Sequence, residues 1–87
     1  MDTAAIMIEL QEYIRRQFKV TENDPDFTYD VHLFDYGYID SFGAVDLIAF
    51  VEKTFQVKIK ESDLIAYPLN TIREIASFVT KRQKGEI

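Results

Sequence analysis

Asp40 and Ser41 stand between an aromatic, turn-like approach and an almost wholly apolar run, in the stretch YGYIDSFGAVDLIAF over residues 36–50. Three chemistries are open to a serine hydroxyl in that setting. It can cap a helix by accepting a backbone N–H, act as an activated nucleophile, or take an ester bond to a phosphate group. The nucleophile lacks its accessory parts, because the chain has one histidine, His32, and no Gly-x-Ser-x-Gly elbow. His32 reads as a loop residue rather than a base or a ligand. Capping, by Ser41 or by Asp40 beside it, and covalent modification both remain, and they can coexist.

A second pattern with chemical content is DPDFTYDVHLFD, in which Asp24, Asp26, Thr28, Asp30 and Asp35 fall at positions 1, 3, 5, 7 and 12 of a calcium loop. Tyr29 occupies the sixth position, where the sharp turn requires glycine, and the twelfth residue is Asp instead of Glu. Phe27 and Leu33 also intrude, so no specific metal site is expected. The aromatic set Phe34, Tyr36, Tyr38, Phe42 and Phe50 is of a type that can line a cargo pocket, but core and loop packing is the simpler use in a small bundle. With no cysteine in the chain, there is no disulfide, no thiolate and no cysteine zinc site. Any thiol the protein uses must be brought in.

Such residues need a folded frame, and the composition supports one. An 87-residue chain of even character buries only roughly 60–65% of its unfolded surface as a single core, so further division would leave none. One domain is expected, with its core over about residues 3–82 and a frayed tail over 83–87. Carboxylates outnumber Lys plus Arg by 15 to 10, for a formal charge of −5, which argues against nucleic acid or an anionic membrane as partner. The start, Met1-Asp2-Thr3, lacks the regions of a signal peptide, and the longest apolar run is broken at Asp46, far short of a membrane span. The cytoplasm is the expected compartment.

The elements follow from periodicity. Ile6, Leu10, Ile14 and Phe18 recur every four residues, with Met7 and Tyr13 widening the stripe, so an amphipathic helix is predicted over about Thr3 to Phe18. Residues 20–40 hold Pro25, Gly37 and many Asp, Thr and Tyr residues and read as a long ordered loop with room for a short turn of helix, with Val31, Leu33, Phe34 and Ile39 available to tack it onto a core. A second helix is predicted over Ser41 to Phe55, and a short one within KESDLIAY, capped by Glu61 or Ser62. Thr71-Ile72-Arg73-Glu74 is a capping box that starts the last helix, with Ile72, Ile75, Ala76 and Val79 inward. The link VKIK at 57–60 is expected to be extended without pairing. The fold class is therefore all-α, a small four-helix bundle of three main helices and one short one, with a long loop after the first.

At about 100° per residue, Ala44, Leu47, Ile48, Val51 and Phe55 share one arc of the second helix, its core face. Phe42, Val45 and Ala49 form a neighbouring apolar stripe that Glu52 continues, with Asp46 and Lys53 on its far side. A bundle helix has one side in the core, so this second stripe is either covered by the loop or left for a partner, and a partner surface is preferred. Ser41 lies at the helix start between the two faces, where free amides and the positive dipole end tolerate a phosphate ester.

Residues 33–59, LFDYGYIDSFGAVDLIAFVEKTFQVKI, resemble the core of the acyl carrier protein family and its peptidyl and aminoacyl carrier relatives. The family pattern is a Leu, an acidic or polar pair, a Gly, an Asp-Ser before a bulky apolar residue, a helix of Leu, Val and Glu, and a Phe before a short Ile-containing link. Leu33, Phe34, Gly37, Asp40, Ser41, Val45, Leu47, Glu52, Phe55 and Ile59 occupy those places, and NTIREIASFV is similar to the family's last helix.

The resemblance implies a four-helix carrier in which a phosphopantetheinyl transferase esterifies Ser41 with 4′-phosphopantetheine from coenzyme A, Asp40 being part of the motif. The arm's thiol then holds an acyl or aminoacyl group as a thioester. It also implies loading by an adenylating ligase or acyltransferase, delivery to downstream synthases or transferases through the second helix, and a monomeric, non-catalytic chain. Gly43 and Ala44 after Phe42, Lys53 among the acidic positions, and Lys58 and Lys60 around Ile59 depart from the strongly acidic helices of the fatty-acid-synthesis members. IDSFG is more similar to stand-alone carriers for D-alanine and other amino acids, and to discrete carriers of secondary metabolism. The alternative from another class is a helical interaction module whose apolar stripe binds a partner with no covalent arm.

Overall fold

Ile6, Leu10 and Ile14 are fully buried on one face of the first helix, α1, which spans Thr3–Gln17. Their four-residue spacing brings one side of the helix repeatedly to the core. The computed structural model describes residues 2–87. Its other helices are α2, Ser41–Phe55, α3, Glu61–Ala66, and α4, Ile72–Gln83, and no strand occurs among the described residues. α1 and α4 form the closest helix pair, joined at one end by the hydroxyls of Thr3 and Thr80, 2.7 Å apart. α4 begins with the capping box written in its sequence: the Thr71 hydroxyl accepts the Glu74 N–H at 3.0 Å, and the Glu74 carboxylate accepts the Thr71 N–H at 3.1 Å. Ile72, Ile75, Ala76 and Val79 are buried behind it as their spacing requires, and Phe78 joins them.

The long connection from residue 18 to residue 40 is a chain of turns with no helix of its own. Val31, Leu33 and Ile39 are buried as expected and Phe34 is half-buried, while Phe27 adds a fourth buried anchor. Polar bonds fix the rest. Leu33 N–H donates to the Asn70 carbonyl at 2.9 Å, Arg73 N–H to the Tyr29 carbonyl at 3.0 Å, and the Arg73 guanidinium grips both oxygens of Asp30 at 2.7 and 3.2 Å. The Tyr38 hydroxyl donates to Asp24 at 2.9 Å, and burial together with that bond pushes its pKa up to about 12. Asp24 and Asp30 of the calcium-like pattern thus serve as acceptors for side chains in different places, and no three His, Asp or Glu side chains converge among the described residues. His32 is a loop residue whose Nδ1 accepts the Asp35 N–H at 3.0 Å, closing a turn.

The start of α3 differs from what the sequence suggested. The cap of α3 is Lys60, not Glu61 or Ser62; lysine has no acceptor to offer, so only the reverse half of a box forms, with the Lys60 N–H donating to Asp63 at 2.8 Å. α4 runs to Gln83, Gly85 takes φ +74°, and the Gly85 and Glu86 N–H groups return to the carbonyls of Arg82 and Lys81, the Schellman arrangement. Ile87 then packs against the core. A glycine two residues past the helix was the available signal. The link at 57–60 forms no strand or helix, and Lys60 at its end is extended, after Gln56 ends α2 at φ +57°.

Candidate functional site

The start of α2 separates two roles that the sequence left joined. Asp40 is the N-cap, with extended backbone and a carboxylate that accepts the Gly43 N–H at 2.7 Å. Ser41 is the first residue of the helix and is exposed. Its hydroxyl has no hydrogen-bond partner among the described residues, and neither do the N–H groups of Ser41 and Phe42, because the first acceptors of the helix belong to Asp40 and serve Gly43 and Ala44. A free hydroxyl therefore sits at the positive end of a 15-residue helix.

Gly43 holds this end in place. It is buried, and a Cβ there would meet the Phe18 ring at 2.6 Å and Ile39 at 3.0 Å. The absent side chain lets the residue that ends α1 slide under the first turn of α2. Farther along, Tyr13 stacks on Phe50 with ring centroids 3.8 Å apart, and its hydroxyl reaches the Asp46 carbonyl at 3.3 Å. Burial, and then the Asp46 charge, raise the Tyr13 pKa.

The two faces of α2 separate as the angular pattern predicts, with one refinement. Leu47, Val51 and Phe55 are buried, whereas Ala44 and Ile48, expected in the core, are half-buried. They line a half-open cavity of about 530 Å³ whose other walls are α3, the 67–70 link and Ile75 and Phe78 of α4. Phe42 is 84% and Val45 67% exposed. Ala49, Asp46 and Lys53 are exposed too. The long loop does not cover this stripe. Glu52 behaves differently from its neighbours: it is half-buried and its carboxylate accepts the Ile59 N–H at 2.8 Å, so it fastens the link after α2. Of the aromatic set, Phe50 and Tyr38 pack and Phe34 lines the cavity, while Tyr36 at 67% and Phe42 face solvent. The sequence had signalled neither the Phe18–Gly43 contact nor the buried Asp63–Arg82 pair, with 2.7 Å between charged atoms.

No helix among the described residues is long and apolar enough to cross a membrane. The sequence matches the family described as "Phosphopantetheine attachment site" over residues 7–79. It is also similar to the D-alanyl carrier proteins of Streptococcus pyogenes serotype M5 (strain Manfredo) and serotype M49 (strain NZ131). In each case 39% of 54 residues are identical, covering 62% of this chain and 68% of the relative. These likenesses disfavour an interaction module without an arm. The matched span runs from within α1 into α4 of an all-helical fold, so the chain belongs to the phosphopantetheine attachment site family: it is a non-catalytic carrier whose covalent 4′-phosphopantetheine arm holds an acyl or aminoacyl group as a thioester for the biosynthetic enzymes it works with.

Proposed function

We propose that Ser41 is the residue that carries the arm, and that the cargo is a small amino acid of the D-alanine kind. The observation that supports the attachment point is the division of labour at the start of α2: Asp40 takes the capping bond, and the exposed Ser41 hydroxyl is left without a partner. The residues fit a phosphodiester there. The unpartnered Ser41 and Phe42 N–H groups and the helix dipole favour its negative charge. In the attachment reaction the Ser41 Oγ forms a bond to the phosphorus of coenzyme A that bears the pantetheine. The pyrophosphate P–O bond breaks, 3′,5′-ADP leaves, and the serine proton passes to a base of the transferase. The bound arm supplies the thiol that the chain lacks.

The amino-acid cargo is supported by the likeness to D-alanyl carrier proteins. The proposed partners are a phosphopantetheinyl transferase, an adenylating ligase or acyltransferase that loads the arm, and downstream synthases or transferases. They are proposed to dock on the exposed Phe42, Val45 and Ala49 stripe, between Asp46 and Lys53. Tethering raises the effective concentration of the cargo at each of them. The proposed working state is a cytoplasmic monomer, in the compartment that supplies coenzyme A; sedimentation of the armed chain as a dimer would overturn the monomer.

The test is to incubate the chain with coenzyme A and a broad-specificity phosphopantetheinyl transferase and weigh it intact. A gain of one phosphopantetheine that disappears in Ser41→Ala is expected. An equal gain in Ser41→Ala would move the attachment elsewhere. Adenylating ligases supplied with D-alanine, other amino acids or fatty acids then read the cargo as a further hydroxylamine-labile mass increment.

A further inference from the structure

α3 is fastened to the rest of the molecule by a charge where a helix is usually fastened by apolar burial. Among its residues only Asp63 is buried, at 7% exposure, while Leu64 and Ile65 are 47% and 89% exposed. The segment is pinned on either side: the Ile59 N–H donates to Glu52 at 2.8 Å, and the Tyr67 ring meets Phe78 edge-on with centroids 5.5 Å apart. Between these pins Asp63 is the one buried side chain of α3, accepting the Lys60 N–H at 2.8 Å on one oxygen and Arg82 Nη2 at 2.7 Å on the other.

Arg82 is the other half of the fastening. Its guanidinium lies over the Phe78 ring at 4.9 Å and reaches the Lys58 carbonyl at 3.4 Å, while its Nε–H is buried without an acceptor among the described residues. An orphaned buried donor raises the free energy of the closed arrangement, and parting the pair would return that donor to water. Apolar contact weakens gradually as surface separates, but a directional, charge-assisted hydrogen bond is lost over about 1 Å. A helix held mainly in the second way opens as a unit. Behind it lies the cavity of about 530 Å³ between α2 and α4.

We propose that Asp63 and Arg82 form a clasp that holds α3 in place as one wall of this cavity, and that α3 swings out between Ile59 and Tyr67 when the clasp parts. The opening belongs to the bare fold and does not rest on the carrier function, so the unmodified full chain tests it.

Amide hydrogen exchange read residue by residue is the measurement. Asp63→Asn keeps an oxygen for the Lys60 N–H and removes only the charge, and Arg82→Met keeps the apolar stem on Phe78. In the parent chain residues 64–67 are expected to exchange through an opening at least about tenfold easier than the one that frees the slowest amides of α1 and α4; each variant is expected to speed them by about a further tenfold, and the double variant to be no faster than the faster single one. Unchanged exchange at 64–67 in both variants would overturn the clasp. Exchange at 64–67 in the parent chain as slow as at the slowest amides of α1 and α4 would also overturn it, by showing that α3 opens only when the whole fold does.

Discussion

The Asp40 carboxylate accepts the Gly43 N–H at 2.7 Å and thereby leaves the hydroxyl of the adjacent Ser41 free. Capping falls to Asp40 and the proposed modification to its neighbour, so substitution can separate them. Asp40→Ala is expected to cost about 1 kcal/mol of stability through the lost cap while arm attachment still occurs. Ser41→Ala, at an exposed position with no bond to lose, is expected to stay within about 0.5 kcal/mol of the parent and to abolish the mass gain. Denaturant melts and intact mass together check both. A Ser41→Ala loss as large as that of Asp40→Ala would show that Ser41 shares the cap.

The exposed stripe and the buried face of α2 make opposite predictions. Val45→Glu, at a position 67% exposed, is expected to slow arm attachment or loading while the melting temperature hardly moves. Phe55→Ala, at 4% exposure, is expected to cost roughly 3–5 kcal/mol as a core deletion. A Val45→Glu chain that unfolds easily but is modified at the normal rate would reverse the assignment of the two faces.

Gly43 gives a packing test. Alanine gains about 1 kcal/mol over glycine inside a helix, but its Cβ would meet the Phe18 ring at 2.6 Å, and overpacking costs about 1–3 kcal/mol. Gly43→Ala is therefore expected to lose about 1 kcal/mol net, and to lose less in a Phe18→Leu background. A double-mutant cycle with no coupling would show that the ring is not the obstacle.

The acid limb of stability should report two carboxylates. The Lys60 N–H and Arg82 hold the Asp63 carboxyl below its usual range, and Arg73 does the same for Asp30. Both groups have a lower pKa folded than unfolded, so their contribution is complete above the unfolded value of about 3.9 and is lost as pH falls through the depressed folded values. Asp30→Asn and Asp63→Asn are each expected to flatten the fall in melting temperature below about pH 4. The Asp30–Arg73 pair is the more exposed, so its share should shrink with added salt and that of Asp63 should persist. An acid limb unchanged in both variants would remove these pairs from the account.

By itself the sequence determined what depends on neighbours along the chain. The four-residue stripe of α1, the Thr71–Glu74 box, the two faces of α2 and the Asp-Ser pair at its start are local patterns, and local geometry alone places them. What joins distant segments was decided only in the tertiary structure. Phe18 packs under Gly43 because one position has no side chain where another delivers a ring, and nothing in either segment announces the other. Asp63 meets Arg82 across 19 residues, and a charged residue in a short helix looks solvated until its partner is in place. The cap too fell to Asp40 only in the folded chain, since Asp and Ser are both good caps and a shift of one residue in the helix start exchanges their roles. The hydroxyl was legible as a candidate; its freedom was decided by the Asp40 cap and by where α2 begins.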